Sequence, residues 1–327
     1  MTSFATHPAL RHYWHAVARA TKVTPEPIAV RLLGEDLVVW RGEGGRVGAL
    51  PDRCSHRESP LSPGAVVAGC IECPYHGWRY DTSGACVLVP SSGEGAPVPP
   101  KAHLRPAHVT ERYGLVWLCL DEPAAGVPEI AQDTDASFRR INLDVDVWHT
   151  ATTRMVDNFL DITHFPWVHR SSFGSAAQTE VPHLELGDLD DWYGYRYAVT
   201  AANPVVATAA SGQATSTVER HMSSGFTLPF AVRSTIEYET GLQHILLLLS
   251  TPRDDETSYF TFVVWRNDDF SVPAEEVTRL DRVIEAEDKR MLERVHGTLP
   301  LDNTALVSVQ SDKASVEWRR QLRALLG

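Results

Sequence analysis

Cysteine and histidine occur together twice within one short stretch, as Cys54-Ser55-His56 and as Cys73-Pro74-Tyr75-His76, with sixteen residues between the two clusters. Few features constrain a fold more tightly, because two loops must each present a thiol and an imidazole to a shared centre. The chain holds only five cysteines in 327 residues, which makes no disulfide scaffold and reads as reduced thiols in a cytosolic protein.

The donor set allows two chemistries. Two Cys and two His make a tetrahedral structural zinc site, but common zinc modules place the sulfurs together and the histidines together. Here each loop supplies one of each. That suits a two-iron, two-sulfide cluster in which one iron takes both thiolates and the other both imidazoles, whose neutrality raises the reduction potential. Pro74 stiffens the second loop, and Gly77 is expected to let backbone N–H groups approach the sulfides. Cys70 forms a C-x-x-C pair with Cys73 but reads as a small buried residue, and Cys86 and Cys119 read as core.

Around these loops, short apolar runs alternate with turn residues: Gly34-Glu35-Asp36, Gly42 to Gly45 and Asp81 to Gly84. The run from Tyr113 to Leu120 looks like a buried strand. Residues 1–122 therefore read as a small antiparallel β domain. The whole pattern, Cys-X-His, sixteen residues, Cys-X-X-His-Gly-Trp, resembles the Rieske iron–sulfur domain.

Residues 123–137, rich in Pro, Ala and acids, read as a connector to a second domain over 138–327. That domain opens on "MVDNFLDITHFPWVHRSSFG", Met155 to Gly174. Met155, Phe159 and Ile162 suit a helix, and Asn158, Asp161 and His164 recur at intervals of three. Pro166 is expected to end the helix, and that break would let His164 and His169 converge. Two neutral histidines and one carboxylate are the ligand set of non-haem Fe(II) oxygenases; two unrelated histidines at a helix end are the plainer alternative.

Asn158-x2-Asp161-x2-His164-x4-His169 downstream of a Rieske motif resembles the catalytic domain of the Rieske non-haem iron oxygenases, over almost the whole chain. The resemblance implies an α+β chain, a Rieske domain followed by an antiparallel sheet surrounded by helices. It implies a [2Fe-2S] cluster on Cys54, His56, Cys73 and His76, and a mononuclear Fe(II) on His164 and His169. For the carboxylate, Val277 to Val295 is strongly helical, with Val277, Leu280, Ile284, Met291 and Val295 as its buried stripe. Asp288 falls on that stripe, where a bare carboxylate is costly unless paired or bound to metal. It also sits where single-subunit members carry their third ligand. Asp281, Asp302 and Asp312 are the alternatives, and Asp288 could instead pair with Arg282. Glu285, Glu287 and Glu293 read as solvated.

The family further implies that Asp161 links His164 to a Rieske histidine, His76, of a neighbouring subunit in a head-to-tail ring, usually a trimer. Asn158 matches a polar residue near the iron. The substrate is expected in an apolar pocket between the sheet and the iron-bearing helices, with Met155, Phe159 and Phe165 as neighbours. No G-x-G-x-x-G fingerprint is evident, so electrons from NAD(P)H would arrive through a separate reductase or ferredoxin. The expected reaction is O₂-dependent hydroxylation, or demethylation through hydroxylation, of a small apolar organic molecule. The rivals are a cis-dihydroxylating dioxygenase and a Rieske electron carrier with a non-catalytic binding domain.

A net charge of −12 argues against nucleic acid as a partner. The longest apolar run, Ile245 to Leu249, is strand-sized, so no membrane partner is expected, and the N-terminus shows no signal-peptide pattern.

Overall fold

The computed structural model describes residues 4–93, 95–176, 179–302 and 304–327. The chain forms two compact units, Met1–Val127 with Thr251–Asp254 and Pro128–Ser250 with Asp255–Gly327. Among the described residues, no helix is long and apolar enough to cross a membrane.

The first unit is built from short strands: β1 (His15–Arg19), β2 (Ile28–Leu32), β3 (Glu35–Arg41), β4 (Val47–Pro51), β5 (Ala65–Val67), β6 (Cys70–Glu72), β7 (Arg79–Tyr80), β8 (Cys86–Leu88), β9 (His108–Arg112) and β10 (Leu115–Cys119). They pair antiparallel in three small sheets, β1-β10-β9, β2-β3-β4 and β5-β6-β7-β8. Strand β10 is buried along its whole length, as its apolar run requires. One core gathers Val38, Trp40, Leu50, Ile71 and Tyr80 together with Cys54 and Cys73. Cys86 and Cys119 are buried, but Cys70 is only half-buried at the start of β6, so its expected place in the core is not where the fold puts it.

The second unit is α+β. Its strands are β11 (Arg139–Asn142), β12 (Asp146–Trp148), β13 (Glu185–Leu189), β14 (Trp192–Ala202), β15 (Thr217–Thr227), β16 (Ala231–Tyr238), β17 (Gln243–Pro252) and β18 (Ser258–Arg266). They form an eight-stranded sheet in the order β11-β18-β17-β16-β15-β14-β13, with β12 also on β18. Against it lie α1 (Thr152–Phe159), α2 (Phe165–Val168), α3 (Thr208–Ser211), α4 (Ala274–Val277), α5 (Arg279–Leu292) and α6 (Lys313–Leu326). Met155 of α1 and Leu292 of α5 share a core with Trp148, Phe260 and Phe262. Leu280 of α5 packs on Ala207 and Ala210.

Two local expectations change here. Helix α1 stops at Phe159, seven residues before Pro166, and Pro166 instead sits in the first turn of α2. A proline fits that turn because its missing N–H would be unpaired there anyway. On α5 the buried face runs through Leu280, Asp281, Glu287, Asp288 and Leu292, whereas Met291 is 46% exposed. Four residues separate Asp288 from Leu292, so the stripe passes through Leu292 and misses Met291.

Candidate metal centres and the adjoining cavity

The two Cys-His loops close in the same way. Cys54 N–H donates to Ser59 O at 2.9 Å, and Cys54 O accepts from Glu58 N–H at 2.8 Å. Cys73 N–H donates to Trp78 O at 2.8 Å, and Cys73 O accepts from Gly77 N–H at 2.9 Å. Each turn is closed by a left-handed residue, Glu58 at φ 58° and Gly77 at φ 71°. The Gly77 N–H closes its own turn on Cys73 O.

Both sulfurs are buried, while His56 is half-buried and His76 exposed. The imidazoles lie edge to face with centroids 4.4 Å apart, and His56 stacks on Trp78 at 4.7 Å. His56 Nδ1 is buried without a hydrogen-bond partner among the described residues. An orphaned ring nitrogen beside a second imidazole, on loops that also bury two thiols, fits a metal–sulfide cluster. Burial raises the Cys54 thiol, and the Tyr80 hydroxyl lies 3.2 Å from its Sγ. Burial also pushes up the Tyr80 phenol, which remains protonated.

In the second unit, His164 and His169 do converge, although the chain breaks at Asp161. Asp161 Oδ1 accepts from Thr163 N–H at 2.7 Å and Oδ2 from His164 N–H at 3.1 Å, which starts a new turn after α1. The same Oδ2 lies 3.0 Å from His164 Nδ1. Burial alone would raise the Asp161 carboxyl, but hydrogen bonds from His164 and Thr163 outweigh it and lower it.

His169, 1% exposed, places Nδ1 2.9 Å from Glu287 Oε2. Gly174 lets the following turn fold back, since a Cβ there would meet Phe165 O at 2.1 Å. With both Nδ1–H groups donated to carboxylates, the two Nε2 atoms carry bare lone pairs. They nevertheless face each other at 3.1 Å. Asp288 Oδ1 completes the triangle, 3.5 Å from His164 Nε2 and 3.4 Å from His169 Nε2. Three electron-pair donors pointed at one spot repel unless a cation lies between them, so the residues present fit a metal ion.

Asn158 Nδ2 donates to Asp288 Oδ1 at 3.1 Å, which fixes the carboxylate's orientation. Burial raises the Asp288 carboxyl against the pull of His164 and His169, and burial lowers the His169 imidazole.

The other late acids lie apart. Asp302 is exposed, Asp312 accepts from Val309 N–H at 2.7 Å, and Asp281 faces His244. Arg282 is exposed and offers no buried partner for Asp288.

Glu287 is the residue that sequence reasoning missed. It was expected in solvent, yet it is 5% exposed and also accepts hydrogen bonds from Ser171 and Ser172. Its position beside Asp288 was the available signal, because a helix face wide enough for both brings both inward. Glu285 is not solvated either: it lines a cavity, and burial raises its carboxyl to about 7. Glu293 is half-buried and accepts from His149 N–H at 3.0 Å.

That cavity opens beside the triad and encloses about 940 Å³ of empty space, mouth included. Phe159 and Phe165 line it as expected, along with Phe173, Leu246, Leu248 and Phe260. Met155 does not; it is fully buried in the core beneath α1. Arg220, His244 and Asp281 supply polar groups to the lining. The phase of β15 could have revealed Arg220, which falls on the inward side with Val218 between the exposed Glu219 and His221.

A chain that joins paired Cys-His loops to a helix-borne two-histidine, one-carboxylate triad beside an apolar cavity has the parts of a cluster-fed oxygenase. Comparison with known proteins agrees: residues 13–104 match the Rieske [2Fe-2S] domain, and residues 148–327 match the vanillate O-demethylase oxygenase C-terminal domain. The chain belongs to the Rieske non-haem iron oxygenases. It is therefore an oxidoreductase of the monooxygenase type, which carries one Rieske cluster and one mononuclear iron and acts on an organic substrate.

It is similar to the methylxanthine N1-demethylase of Pseudomonas putida, with 32% identity over 97% of this chain and 89% of that protein. The N3-demethylase of the same organism is 28% identical over 95% of this chain and 88% of its own length. The solved structure of the N1-demethylase with caffeine superposes with a TM-score of 0.83, at 30% identity, over 98% of this chain and 92% of that one. Dicamba monooxygenase, at 23% identity and a TM-score of 0.82 over 99% and 98% of the two chains, shares the fold.

Proposed function

We propose that this chain is the terminal oxygenase of a demethylating system, which removes an N- or O-linked methyl group from a small planar organic substrate through hydroxylation of that methyl. The observation that carries the reading is the triangle of His164 Nε2, His169 Nε2 and Asp288 Oδ1 at 3.1–3.5 Å on the wall of a largely apolar cavity. Similarity to two methylxanthine demethylases over nearly the whole chain supports demethylation over ring dihydroxylation.

In this reading Cys54, Cys73, His56 and His76 hold the cluster, and His164, His169 and Asp288 hold the iron. When bound, these centres supply electron transfer and O₂ activation. The chain's residues do the rest. Asp161 and Glu287 keep the two Nδ1 protons and so keep both Nε2 atoms free to ligate. Asn158 holds Asp288 in register. The aromatic and aliphatic walls exclude water and position the methyl group. Electrons from NAD(P)H arrive through a separate reductase or ferredoxin in the cytoplasm. The chain assembles as a head-to-tail homotrimer, in which Asp161 couples His164 to His76 of the next subunit.

The test combines composition with product analysis. Purified protein should hold two cluster irons, two acid-labile sulfides and one further iron per chain. With a surrogate reductase and O₂, mass spectrometry of methylated substrates should show loss of methyl with formaldehyde released in step. Zinc in the first unit, or a product that has gained two oxygens on adjacent ring carbons, would overturn the proposal. Mixed rings of Cys73→Ala and His164→Ala chains, each inactive alone, should regain part of the activity. Verified mixed rings without activity would place the electron path within one chain.

A further inference from the structure

One part of the cavity is built in a way the iron site does not explain. Arg220, on β15, is 3% exposed, and its Nε and Nη2 find no hydrogen-bond partner among the described residues. Its guanidinium lies over the rings of Phe173 and Tyr238, at 5.7 Å from each centroid. Asp281, on α5, is 8% exposed, and its Oδ2 is equally unpartnered. His244, on β17, lies between other polar groups. Its Nδ1 meets Arg266 Nη1, a group that can only donate, so Nδ1 accepts and the ring proton sits on Nε2. Nε2 is 3.3 Å from Asp281 Oδ1 without the alignment of a hydrogen bond. All three side chains line the cavity beside the triad.

The same fold shows how it treats a buried arginine that is merely structural. Arg266 is fully buried and is held by Asp268 at 3.0 Å and by Ala210 O at 2.9 Å. Arg139 shares the same Asp268 at 2.6–2.8 Å. Burying an unpaired cation or an unpaired carboxylate is costly, and native proteins rarely leave one without a partner. Arg220, from the sheet, and Asp281, from α5, both line the one cavity with unfilled polar atoms, where a ligand would supply what the protein does not.

On the reading of this chain as a demethylating oxygenase, we infer that Arg220 and Asp281, with His244 beside them, anchor an uncharged ring substrate that offers a carbonyl acceptor and a ring N–H donor, the edge of a lactam, imide or cyclic urea. The carbonyl accepts from Arg220, and the ring N–H donates to Asp281 Oδ2. The ring body lies against the aromatic wall. An aromatic carboxylate would fill Arg220 but leave Asp281 without a donor and bring a further carboxylate into a cavity already lined by Asp161, Asp281, Glu285 and Asp288. The pair therefore selects for the neutral heterocycle, and specificity comes from a donor and an acceptor that any poorer ligand leaves unmatched.

The test measures equilibrium binding, apart from turnover, on the iron-loaded, cluster-containing protein by anaerobic isothermal titration calorimetry. Three bicyclic probes are compared: 1-methylquinazoline-2,4-dione, its 1,3-dimethyl analogue with the N–H blocked, and 6-methoxy-2-naphthoate. The first should bind about tenfold or more tightly than either of the others. Asp281→Asn should bring the two diones to within about threefold of each other, because the acceptor for the N–H becomes ambivalent. Arg220→Met should weaken the monomethyl dione by about tenfold or more, and Arg220→Lys by less. Near-ultraviolet circular dichroism, iron content and the cluster's visible spectrum check each variant's fold; should Arg220→Met fail to fold, Arg220→Lys and Asp281→Asn carry the test.

Tighter binding of the naphthoate, equal binding of the two diones by the parent protein, no binding of any probe, or folded variants with unchanged affinities would each overturn the anchor. Dione binding with these preferences but without dione-dependent O₂ consumption would keep the anchor and sink the demethylase reading. Demethylation of other substrates without these preferences would do the reverse.

Discussion

The two candidate metal-binding regions are constructed on opposite plans. In the first unit, each half of the cradle is a single tight turn whose hydrogen bonds span four or five residues, Cys54 to Ser59 and Cys73 to Trp78. The backbone shapes each turn, and Tyr80 and Trp78 pack beside the candidate ligands. In the second unit the proposed ligands come from the break after α1, from the end of α2 and from the second half of α5, and His169 meets Glu287 across 118 positions of sequence. There side-chain carboxylates hold every imidazole. A backbone cradle forms when its own short segment folds, whereas a carboxylate-locked triad exists only once the helices have packed on the sheet.

The largest expected effect separates the two outright. Asp288→Ala should lose the mononuclear iron and reduce turnover by orders of magnitude while the cluster's visible spectrum stays intact. Cys73→Ala should do the converse, leaving one iron per chain and no cluster signal. Cross-loss, with either substitution emptying both sites, would show that the two regions do not fold as separable cradles. Iron and sulfide analysis beside the spectrum reads all outcomes.

This contrast also accounts for what the sequence disclosed. The Cys-His loops were legible because a local turn leaves a local pattern, and the strand β10 because its apolar run is unbroken. In the second unit, the convergence of His164 and His169 was legible through spacing, and the burial of Asp288 through its place on a helical stripe. Glu287 was not, since its role depends on which way α5 rolls against the His169 turn, and that is a tertiary fact. The same roll exposes Met291 and buries Leu292. Pro166 misled for another reason: a proline marks a helix interruption, but it opens a helix as readily as it follows one. The break came instead from Asp161, whose carboxylate captured the next turn's N–H groups.

A smaller effect tests whether the carboxylate lock matters in itself. Glu287→Ala removes the acceptor from His169 Nδ1 and leaves Ser171 and Ser172 without their shared partner. Loss of such a partner typically weakens metal affinity by about 10–100-fold. Chelator competition should show that loss at the mononuclear site, with no change in the cluster's spectrum. Glu287→Gln, which can still accept from Nδ1–H, should recover part of it. Unchanged iron affinity in the alanine variant would mean that packing alone orients His169, and the contrast between backbone and side-chain cradles would weaken.

The smallest effect probes the backbone plan from within. Gly77 and Glu58 occupy equivalent places in the two turns, both left-handed, but only one is glycine. Gly77→Ala puts a Cβ at φ 71°, 3.2 Å from Pro90 Cγ, and should destabilise the first unit by about 1–2 kcal/mol. Glu58→Gly relieves a side chain already held at φ 58°, at some cost in unfolded-state entropy. It also gives up an exposed ion pair with Arg53, whose contribution is small. The two substitutions should therefore differ in sign or nearly so: the alanine lowers the unfolding free energy, and the glycine leaves it within about 0.5 kcal/mol or raises it. Denaturant titration followed at the cluster's visible band reads both. Equal losses would mean that Glu58 has a contact role outweighing its strained backbone, and that the two turns share a shape without sharing an energetic basis.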